Sequence, residues 1–570
     1  MARTETPQDG LCLKTSTGPS DDSASSRSAL SEGSSRSKVT GWLAPACSRM
    51  RWRHPRLASS TTRLTGKSRD RPRVPHHCVW PAALGEYLAL MPNIAMRALD
   101  LAGFVSVVAL MVWIGRRAAP TAEHYLVADR RVTLLPLVAT LVMTEFNTST
   151  LLAFSAAGYR AGPMALSLPF VFLVGLLFYT VTVARPWKRF NRLSVAELFS
   201  TRYSPALGRS ASALLLLAMS GFSATYVKSL TLIFLPFAPS LGAWVLSAAL
   251  TLVVLSVVVS GGLVSVVRSD LVGFGLTVVL LPLLLAIGLV KLGATHTLAA
   301  VYPPEQLDFT PWTQWNSPAL PFRFVTTLIV LTCFTYIAAP WYGQKIFAAK
   351  DERTAFAAVG ISAVVIFLLY GMMVYGAAVY RAISPPLADA QTVVPAMIAT
   401  WLPAGLRGLG TAMLFVAALT TLAGVWSAMA AMAAADFAVR GGLSIGGQRA
   451  LMGGFALLSW LGANLLVDDI LNRLILANIP VAALSFALLA GFHWKRATVA
   501  GAWASVVVGV AWGVGCFVVV GEKGGYTWPW AMYGLPLIFG TGVAVSLATR
   551  RGAERTAPSP VAATTVRTVD

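Results

Sequence analysis

The chain has 570 residues, of which 56% are hydrophobic and only 12% are charged, and its mean hydropathy is +0.66. These values exclude an ordinary soluble domain and predict an integral membrane protein. The formal net charge of +21 comes from a basic amino-terminal segment and from basic loops between apolar runs, so it does not call for a nucleic-acid partner.

Residues 1–90 precede the first long apolar run and are rich in Ser, Arg and Pro. Such a composition cannot bury enough apolar surface to fold, and it contains no continuous apolar run typical of a signal peptide. We therefore predict a basic disordered arm at 1–90, a transmembrane domain at 91–549 and a short cytoplasmic tail at 550–570. The working chain is expected to begin near Met91 or Met96; the alternative is a genuine but dispensable extension.

Apolar runs long enough to cross ~30 Å of hydrocarbon predict thirteen transmembrane helices, so the expected fold class is an all-α membrane protein. The predicted spans are residues 98–115, 132–156, 163–184, 210–238, 241–261, 270–290, 322–343, 355–380, 408–436, 450–467, 471–492, 498–521 and 526–549.

Basic residues gather in alternate loops, which supports the predicted spans because cytoplasmic loops carry the excess of Lys and Arg. The basic side includes Arg130, Arg131, Lys188, Arg189, Arg268, Lys345, Lys350, Arg440, Lys495 and Arg551. The first span is therefore predicted to begin outside the cell, and the carboxyl tail is predicted to be cytoplasmic.

Enzymatic and metal-centred functions find little support in the sequence. The five Cys and six His show no metal-ligand spacing on a span, and the odd number of Cys argues against a disulfide framework. The chain has no Walker loop and no nucleophile elbow, and the tail after Arg550 is too short for a nucleotide-binding domain. We predict that the protein is not an enzyme.

Three spans carry polar residues near their midpoints. Glu145 lies midway between Arg131 and Arg160 within TLVMTEFNTST, residues 140–150, and Phe334 lies at the centre of the polar run TCFTY. A carboxylate at this depth is costly and should face a helix bundle or a water-filled cavity. Glu145 is therefore a functional candidate; the alternative is a protonated carboxyl that only bonds neighbouring helices.

The third polar cluster lies on the ninth span, where Ala417, Thr420, Thr421 and Gly424 share one helix face. Hydroxyl oxygens are hard ligands suited to Na⁺, and small residues allow another backbone to approach. The same spacing also fits a packing seam in which each threonine bonds its own helix. The pattern alone leaves both readings open.

Several ordered motifs resemble the sodium:solute symporter family, which includes sodium-coupled sugar, proline and pantothenate carriers. They are EHYLVADRRVTLLP (123–136), FSAAGYRAG (154–162), LSVAELFSTRYSP (193–205), SGGLVSVVRSD (260–270), GQKIFAAKDERTA (343–355) and AALTTLAGVWSAMAAMAAAD (417–436). The resemblance implies a LeuT-like fold of two inverted five-helix repeats, whose first helices are interrupted at mid-membrane. TEFNTST would then be the unwound centre of the first repeat helix.

The resemblance also implies a set of ion-binding residues. The family's sodium site maps onto the backbone oxygens of Met143, Phe146 and Ala417 and the hydroxyls of Thr420 and Thr421. Coupling roles map onto two acidic residues. Glu145 is expected to act in sodium coupling, and Asp270 is expected near the inner mouth, where it either aids ion release or is an ordinary interfacial carboxylate.

The expected solute is a small polar organic molecule, an amino acid or carboxylate rather than a sugar, because Thr150, Pro169 and Thr335 replace residues that sugar carriers use. The residues expected to bind it are Asn147, Thr150, Thr332, Phe334, Thr335 and Tyr336. Tyr336 could supply the missing gate, although a packing role is equally compatible with the sequence.

The sequence thus predicts Na⁺-coupled symport by alternating access in the cell membrane, with a small solute and membrane lipid as partners and no obligate protein partner. Two alternatives remain open. One is a proton-coupled symporter in which Glu145 carries H⁺; the other is a membrane sensor domain of the same fold.

Overall fold

A computed structural model describes residues 98–115, 128–192, 194–293, 296–307, 315–437, 444–522 and 525–549. The predicted arm at 1–90 and the predicted tail at 550–570 lie outside the described residues. Within the described part of the chain the structure is helical, with one isolated β-bridge between Val132 and Ala349.

The helices follow the predicted spans closely, with several spans divided into shorter pieces. The first eleven are α1 (Ala98–Gly115), α2 (Leu134–Glu145), α3 (Thr148–Ala161), α4 (Phe170–Thr182), α5 (Ala184–Phe190), α6 (Glu197–Arg202), α7 (Pro205–Phe234), α8 (Gly242–Val259), α9 (Gly262–Leu292), α10 (Pro304–Leu307) and α11 (Phe322–Tyr336). The remaining ten are α12 (Pro340–Ala348), α13 (Glu352–Ile383), α14 (Val393–Trp401), α15 (Leu406–Phe437), α16 (Ile445–Leu465), α17 (Ile470–Leu476), α18 (Ile479–Ala483), α19 (Ser485–His493), α20 (Val499–Val520) and α21 (Thr527–Thr549).

Among the described residues, 8 helices are long and apolar enough to cross a membrane, and the count rises to 11 if each bent helix pair is one span. The protein is therefore a multi-pass membrane protein. The predicted count of thirteen is not confirmed, although α1 and α16 occupy the positions of the predicted first and tenth spans.

Two of the bent pairs carry the interruptions on which the site depends. The chain bends by 63° between α2 and the helix that follows it, and by 51° between α11 and α12. At the first break Phe146 leaves helical geometry (φ −75°, ψ 70°) and Asn147 caps α3; at the second, Pro340 begins α12. Two broken helices at corresponding places confirm the expected LeuT-like fold.

The long helix α15 lies at the centre of the bundle, and 94% of its most apolar 18-residue segment is buried. Its amino end is fixed by α1, because Asp100 Oδ1 accepts hydrogen bonds from the backbone N–H groups of Gly405 (2.7 Å) and Gly408 (3.2 Å). Glycine is required at 408, since a Cβ there would lie 1.9 Å from the Asp100 carbonyl oxygen. This central position brings α15 against the first broken span.

Candidate functional site

The first helix break is held by a tyrosine from α13. The Tyr370 hydroxyl donates to the Glu145 carbonyl at 2.6 Å and accepts from the Asn147 backbone N–H at 3.2 Å. The Asn147 side chain then accepts from the Thr150 N–H at 2.8 Å and so caps α3. Backbone groups freed by the break are thus satisfied by side chains, as a buried interruption requires.

The carboxylate of Glu145 joins the two breaks. It is buried, and it accepts hydrogen bonds from the Tyr336 hydroxyl and, at 3.0 Å, from the Trp341 indole N–H. Tyr336 ends α11 and Trp341 lies in the first turn of α12, so the two donors flank the second break. A shift of either broken helix relative to the other must therefore change the environment of Glu145.

Four of the five atoms expected to bind sodium converge between α2 and α15. The Thr421 hydroxyl lies 3.1 Å from the Met143 carbonyl oxygen and 2.9 Å from the Ala417 carbonyl oxygen. The Thr420 hydroxyl lies 3.5 Å and 3.3 Å from the same two carbonyls. We call these four oxygens the oxygen cluster; as two carbonyls and two hydroxyls, they form a neutral, hard donor set that fits Na⁺.

The fifth expected ligand, the Phe146 carbonyl, lies at the break itself. Because ψ of Phe146 is 70°, its carbonyl points away from the helical direction, while its ring packs 5.1 Å from that of Tyr370. No group of three or more His, Cys, Asp or Glu residues that could hold a metal ion occurs in the described ranges. The oxygen cluster, with neutral carbonyl and hydroxyl oxygens and neither nitrogen nor sulfur, suits a monovalent cation more than a transition metal.

Asp270 and Lys345 form a buried ion pair beside the oxygen cluster. Lys345 Nζ lies 3.0 Å from Asp270 Oδ2 and 2.8 Å from the Thr140 carbonyl oxygen, and it also donates to the Thr144 hydroxyl. The prediction that Lys345 is a loop residue is wrong, because α12 continues to Ala348 after the break and buries Lys345 in the bundle. Asp270 is fully buried within the bundle.

A cavity lies next to both breaks and gathers most of the residues expected to bind the solute. The cavity volume is about 80 Å³, several times what one water molecule needs. The expected residues that line it are Asn147, Thr150, Thr332, Thr335 and Tyr336. Phe334 does not line it, because its ring packs on another face of α11 against Phe178 (5.4 Å) and Phe539 (5.2 Å).

Sequence reasoning missed several residues of this site. Tyr226 and Asn478 add polar groups to the cavity wall, Trp341 lines it while bonding Glu145, and Leu471 and Leu474 close one side from α17. The polar and aromatic residues that cluster around each break in the sequence could have indicated Trp341 as a site residue. The contribution of α17 has no comparable signal, since its apolar side chains are the same ones that lipid-facing helices carry.

A broken-helix bundle with a mid-span cavity defines a secondary transporter fold. The sodium:solute symporter family model matches residues 125–509, so the chain belongs to that family, whose members are transporters rather than enzymes and use sodium as the coupling ion.

Individual relatives are more distant. A sodium/pantothenate symporter of Haemophilus influenzae is 24% identical over 332 residues, which are 56% of this chain and 66% of that protein, just under two thirds of its length. A solved Na⁺-coupled sialic acid symporter in a substrate-bound outward-open state has 16% identity and a TM-score of 0.65, covering 79% of this chain and 98% of that one. An Eremococcus coleocola manganese transporter has 11% identity and a TM-score of 0.47, covering 76% of this chain and 97% of that one. The sialic acid symporter supports the fold alone.

Proposed function

We propose that this protein carries a small polar organic solute across the cell membrane together with Na⁺, by alternating access. The observation that carries the proposal is the oxygen cluster, which draws one carbonyl from the first broken helix and its other three oxygens from α15. A cation held there stabilises one arrangement of these helices, and it shifts the conformational equilibrium by its difference in affinity between the two states.

The proposed cation site and the proposed solute cavity both adjoin the first helix break. Met143 contributes its carbonyl to the oxygen cluster, while Asn147, four residues later, lines the cavity. Glu145 lies between them and bonds both sides of the second break. Cation binding at α2 therefore changes the helix geometry that shapes the cavity, which is the physical basis we propose for coupling.

The cavity favours an amino acid or a carboxylate over a sugar. The first turn of α3 lines the cavity through Asn147 and Thr150, and the positive end of a helix suits a carboxylate. Most of the remaining wall is apolar or aromatic, including Phe154, Phe172 and Leu331, whereas a sugar needs polar partners around its ring. A compact solute with one anionic end and an apolar body fits this distribution.

Asn147 and Thr150 are proposed to hold the carboxylate end, and α11 contributes Thr332, Thr335 and Tyr336 to the same cavity. Tyr336 is proposed to act as a gate, because its hydroxyl bonds Glu145 while its ring lines the cavity. Opening the cavity on that side would break this bond. Phe334 is not included, because its ring packs elsewhere.

The proposed membrane orientation places the first span's amino end outside the cell and the carboxyl tail in the cytoplasm. It is supported by exposed basic side chains such as Arg189 and Lys350, which lie on the predicted cytoplasmic side. Membrane lipid is the expected surrounding, with no obligate protein partner.

Uptake into vesicles under an imposed Na⁺ or H⁺ gradient tests the function directly. The full chain is reconstituted and supplied with labelled amino acids, carboxylates and sugars. We expect accumulation of an amino acid or carboxylate driven by inward Na⁺, and none driven by H⁺ alone. Accumulation driven by H⁺ without Na⁺ would favour the proton-coupled alternative with Glu145, and the absence of any uptake would favour a sensor.

A further inference from the structure

The steps proposed above give no role to the ion pair between Lys345 and Asp270, although Asp270 is one of the two acidic residues expected to act in coupling. Its side chains are 1% and 0% exposed, so both charges have been withdrawn from water. Ion pairs buried this completely are costly and require good geometry and further hydrogen bonds. Here Thr140 and Thr144 supply those bonds.

This ion pair shares residues with the oxygen cluster. The Thr144 hydroxyl accepts from Lys345 Nζ, while the Thr144 carbonyl accepts from the Thr421 hydroxyl at 3.5 Å. The Thr420 side chain, which belongs to the oxygen cluster, also interacts with the Asp270 carboxylate. The lysine ammonium is therefore a fixed positive charge beside the proposed sodium site.

The groups around the ammonium form a donor set for a small cation. Asp270 Oδ2 accepts from Thr140 and Lys345, whereas Asp270 Oδ1 is buried without a hydrogen-bond partner among the described residues. A carboxylate surrounded by hydroxyl and carbonyl oxygens is the environment that hard cations prefer. The ammonium of Lys345 occupies the centre of this set.

Space beside the ammonium is also left open by α15. A Cβ built on Gly424 would lie 3.6 Å from Lys345 Nζ and 4.0 Å from the Thr144 hydroxyl. These are ordinary contact distances, so the glycine leaves room for about one methyl group beside the ammonium and the threonine hydroxyl. Removal of the lysine head group would leave room for an ion between Asp270 and Thr144.

We propose that Lys345 acts as a tethered cation that occupies a second ion site at Asp270. The inference rests on the proposed symport function. In the parent protein the ammonium balances Asp270, and Na⁺ binds at the oxygen cluster alone. Without the ammonium, the Asp270 carboxylate recruits a second Na⁺ from solution. Lys345 is thus a residue that sets the number of Na⁺ ions bound.

Equilibrium binding of ²²Na⁺ to the purified full-length protein tests this inference. The variants are Lys345→Met, which removes the ammonium and ends the side chain one heavy atom short of its position, Asp270→Asn, and the two changes together. Lys350→Met is the matched control, because Lys350 is 56% exposed and pairs with Asp351 outside the site. Bound Na⁺ per chain and the steepness of the binding curve are measured in each protein.

We expect about one Na⁺ per chain in the parent, in Lys350→Met and in the double variant, and about two in Lys345→Met with a steeper curve. Asp270→Asn leaves the ammonium unbalanced beside the oxygen cluster, so its Na⁺ affinity should fall by roughly tenfold and recover in the double variant. Two Na⁺ in Lys345→Met but one in the double variant would show that the second ion needs both the Asp270 charge and the position that the ammonium has vacated.

The same measurement separates failure of this inference from failure of the proposed function. One Na⁺ in both the parent and Lys345→Met, with equal affinity, overturns the tethered-cation proposal alone, whereas no Na⁺ binding by the parent overturns the proposed coupling. If Lys345→Met folds only in Na⁺ and not in choline chloride, the inference is supported. Unfolding in both salts while the double variant folds contradicts it, because Na⁺ then cannot replace the ammonium.

Discussion

The Trp341 indole N–H lies 3.0 Å from Glu145 Oε1, although the two residues are 196 positions apart in the sequence. This hydrogen bond joins the interruption of the first broken span to that of the second. It gives the mid-span carboxylate a definite partner on the other repeat. A movement of one repeat relative to the other would therefore change the hydrogen bonding of Glu145.

Replacing Glu145 with Gln tests its proposed role in coupling. The amide can still accept from Trp341 but carries no charge, so the electrostatic attraction for a cation near the Met143 carbonyl is reduced. We expect the Na⁺ concentration for half-maximal uptake to rise roughly tenfold, about 1.4 kcal/mol, at matched membrane abundance. Glu352→Gln is the control, since Glu352 pairs with the exposed Arg189. Unchanged Na⁺ dependence in Glu145→Gln would instead favour a purely structural carboxyl.

Tyr370→Phe tests whether the hydrogen bonds of the Tyr370 hydroxyl stabilise the first break. The change removes one hydroxyl that bonds both the Glu145 carbonyl and the Asn147 N–H. Each backbone group loses one hydrogen bond but keeps another, because the Asn147 N–H also donates to the Glu145 carbonyl at 2.8 Å. We therefore expect a loss of about 0.5–1.5 kcal/mol in stability and a lower thermal unfolding midpoint. Tyr533→Phe, at a tyrosine that is 61% exposed, should leave the midpoint unchanged. Equal midpoints in both variants would mean that the break does not depend on Tyr370.

Thr335→Val tests the solute cavity with a nearly isosteric change. Thr335 lines the cavity, so loss of its hydroxyl should raise the solute concentration for half-maximal uptake about threefold to tenfold without changing Na⁺ binding. The control is Thr326→Val on the same helix, whose hydroxyl bonds the Phe322 carbonyl at 3.0 Å and does not line the cavity. An equal rise in the half-maximal solute concentration in both variants would indicate that the solute does not bind in this cavity.

Gly158→Ala tests the close packing of α3 on α13. A Cβ at this position would lie 2.3 Å from the Val374 carbonyl oxygen, so the two helices must separate. We expect a loss of about 1–3 kcal/mol in the free energy of unfolding, measured by denaturation in detergent. Gly371→Ala should be neutral or slightly stabilising, because its Cβ meets nothing within 4 Å and alanine favours the helix. A neutral Gly158→Ala variant would contradict the packing described here.

Sequence reasoning could predict the features that follow from hydropathy and local pattern. The polar run TEFNTST is visible in the sequence, and the family resemblance implied that the helix breaks there; the shared face of Ala417, Thr420 and Thr421 follows from helical periodicity. The structure brings these two features together, as the family resemblance implied. Their role in binding Na⁺ is still a prediction.

Long-range contacts could not be predicted in the same way. Lys345 was counted as a loop residue because positive charge usually marks a span's end, yet the restart of the helix at Pro340 carries it inward to Asp270. Phe334 shares its helix with Thr335 and Tyr336, but helical rotation turns its ring toward Phe178. Both outcomes depend on which neighbouring helix packs against a given face, which a single sequence does not specify.

The most direct test of the proposed coupling is the Na⁺ dependence of solute uptake in Thr421→Ala, Thr421→Ser and Thr420→Ala at matched membrane abundance. Loss of a hydroxyl leaves the cation short of a ligand between Met143 and Ala417, so we predict that the half-maximal Na⁺ concentration rises about tenfold or more in both alanine variants. Thr421→Ser keeps the oxygen and should stay within about threefold of the parent. Equal Na⁺ dependence in the parent and both alanine variants would contradict a sodium site between α2 and α15.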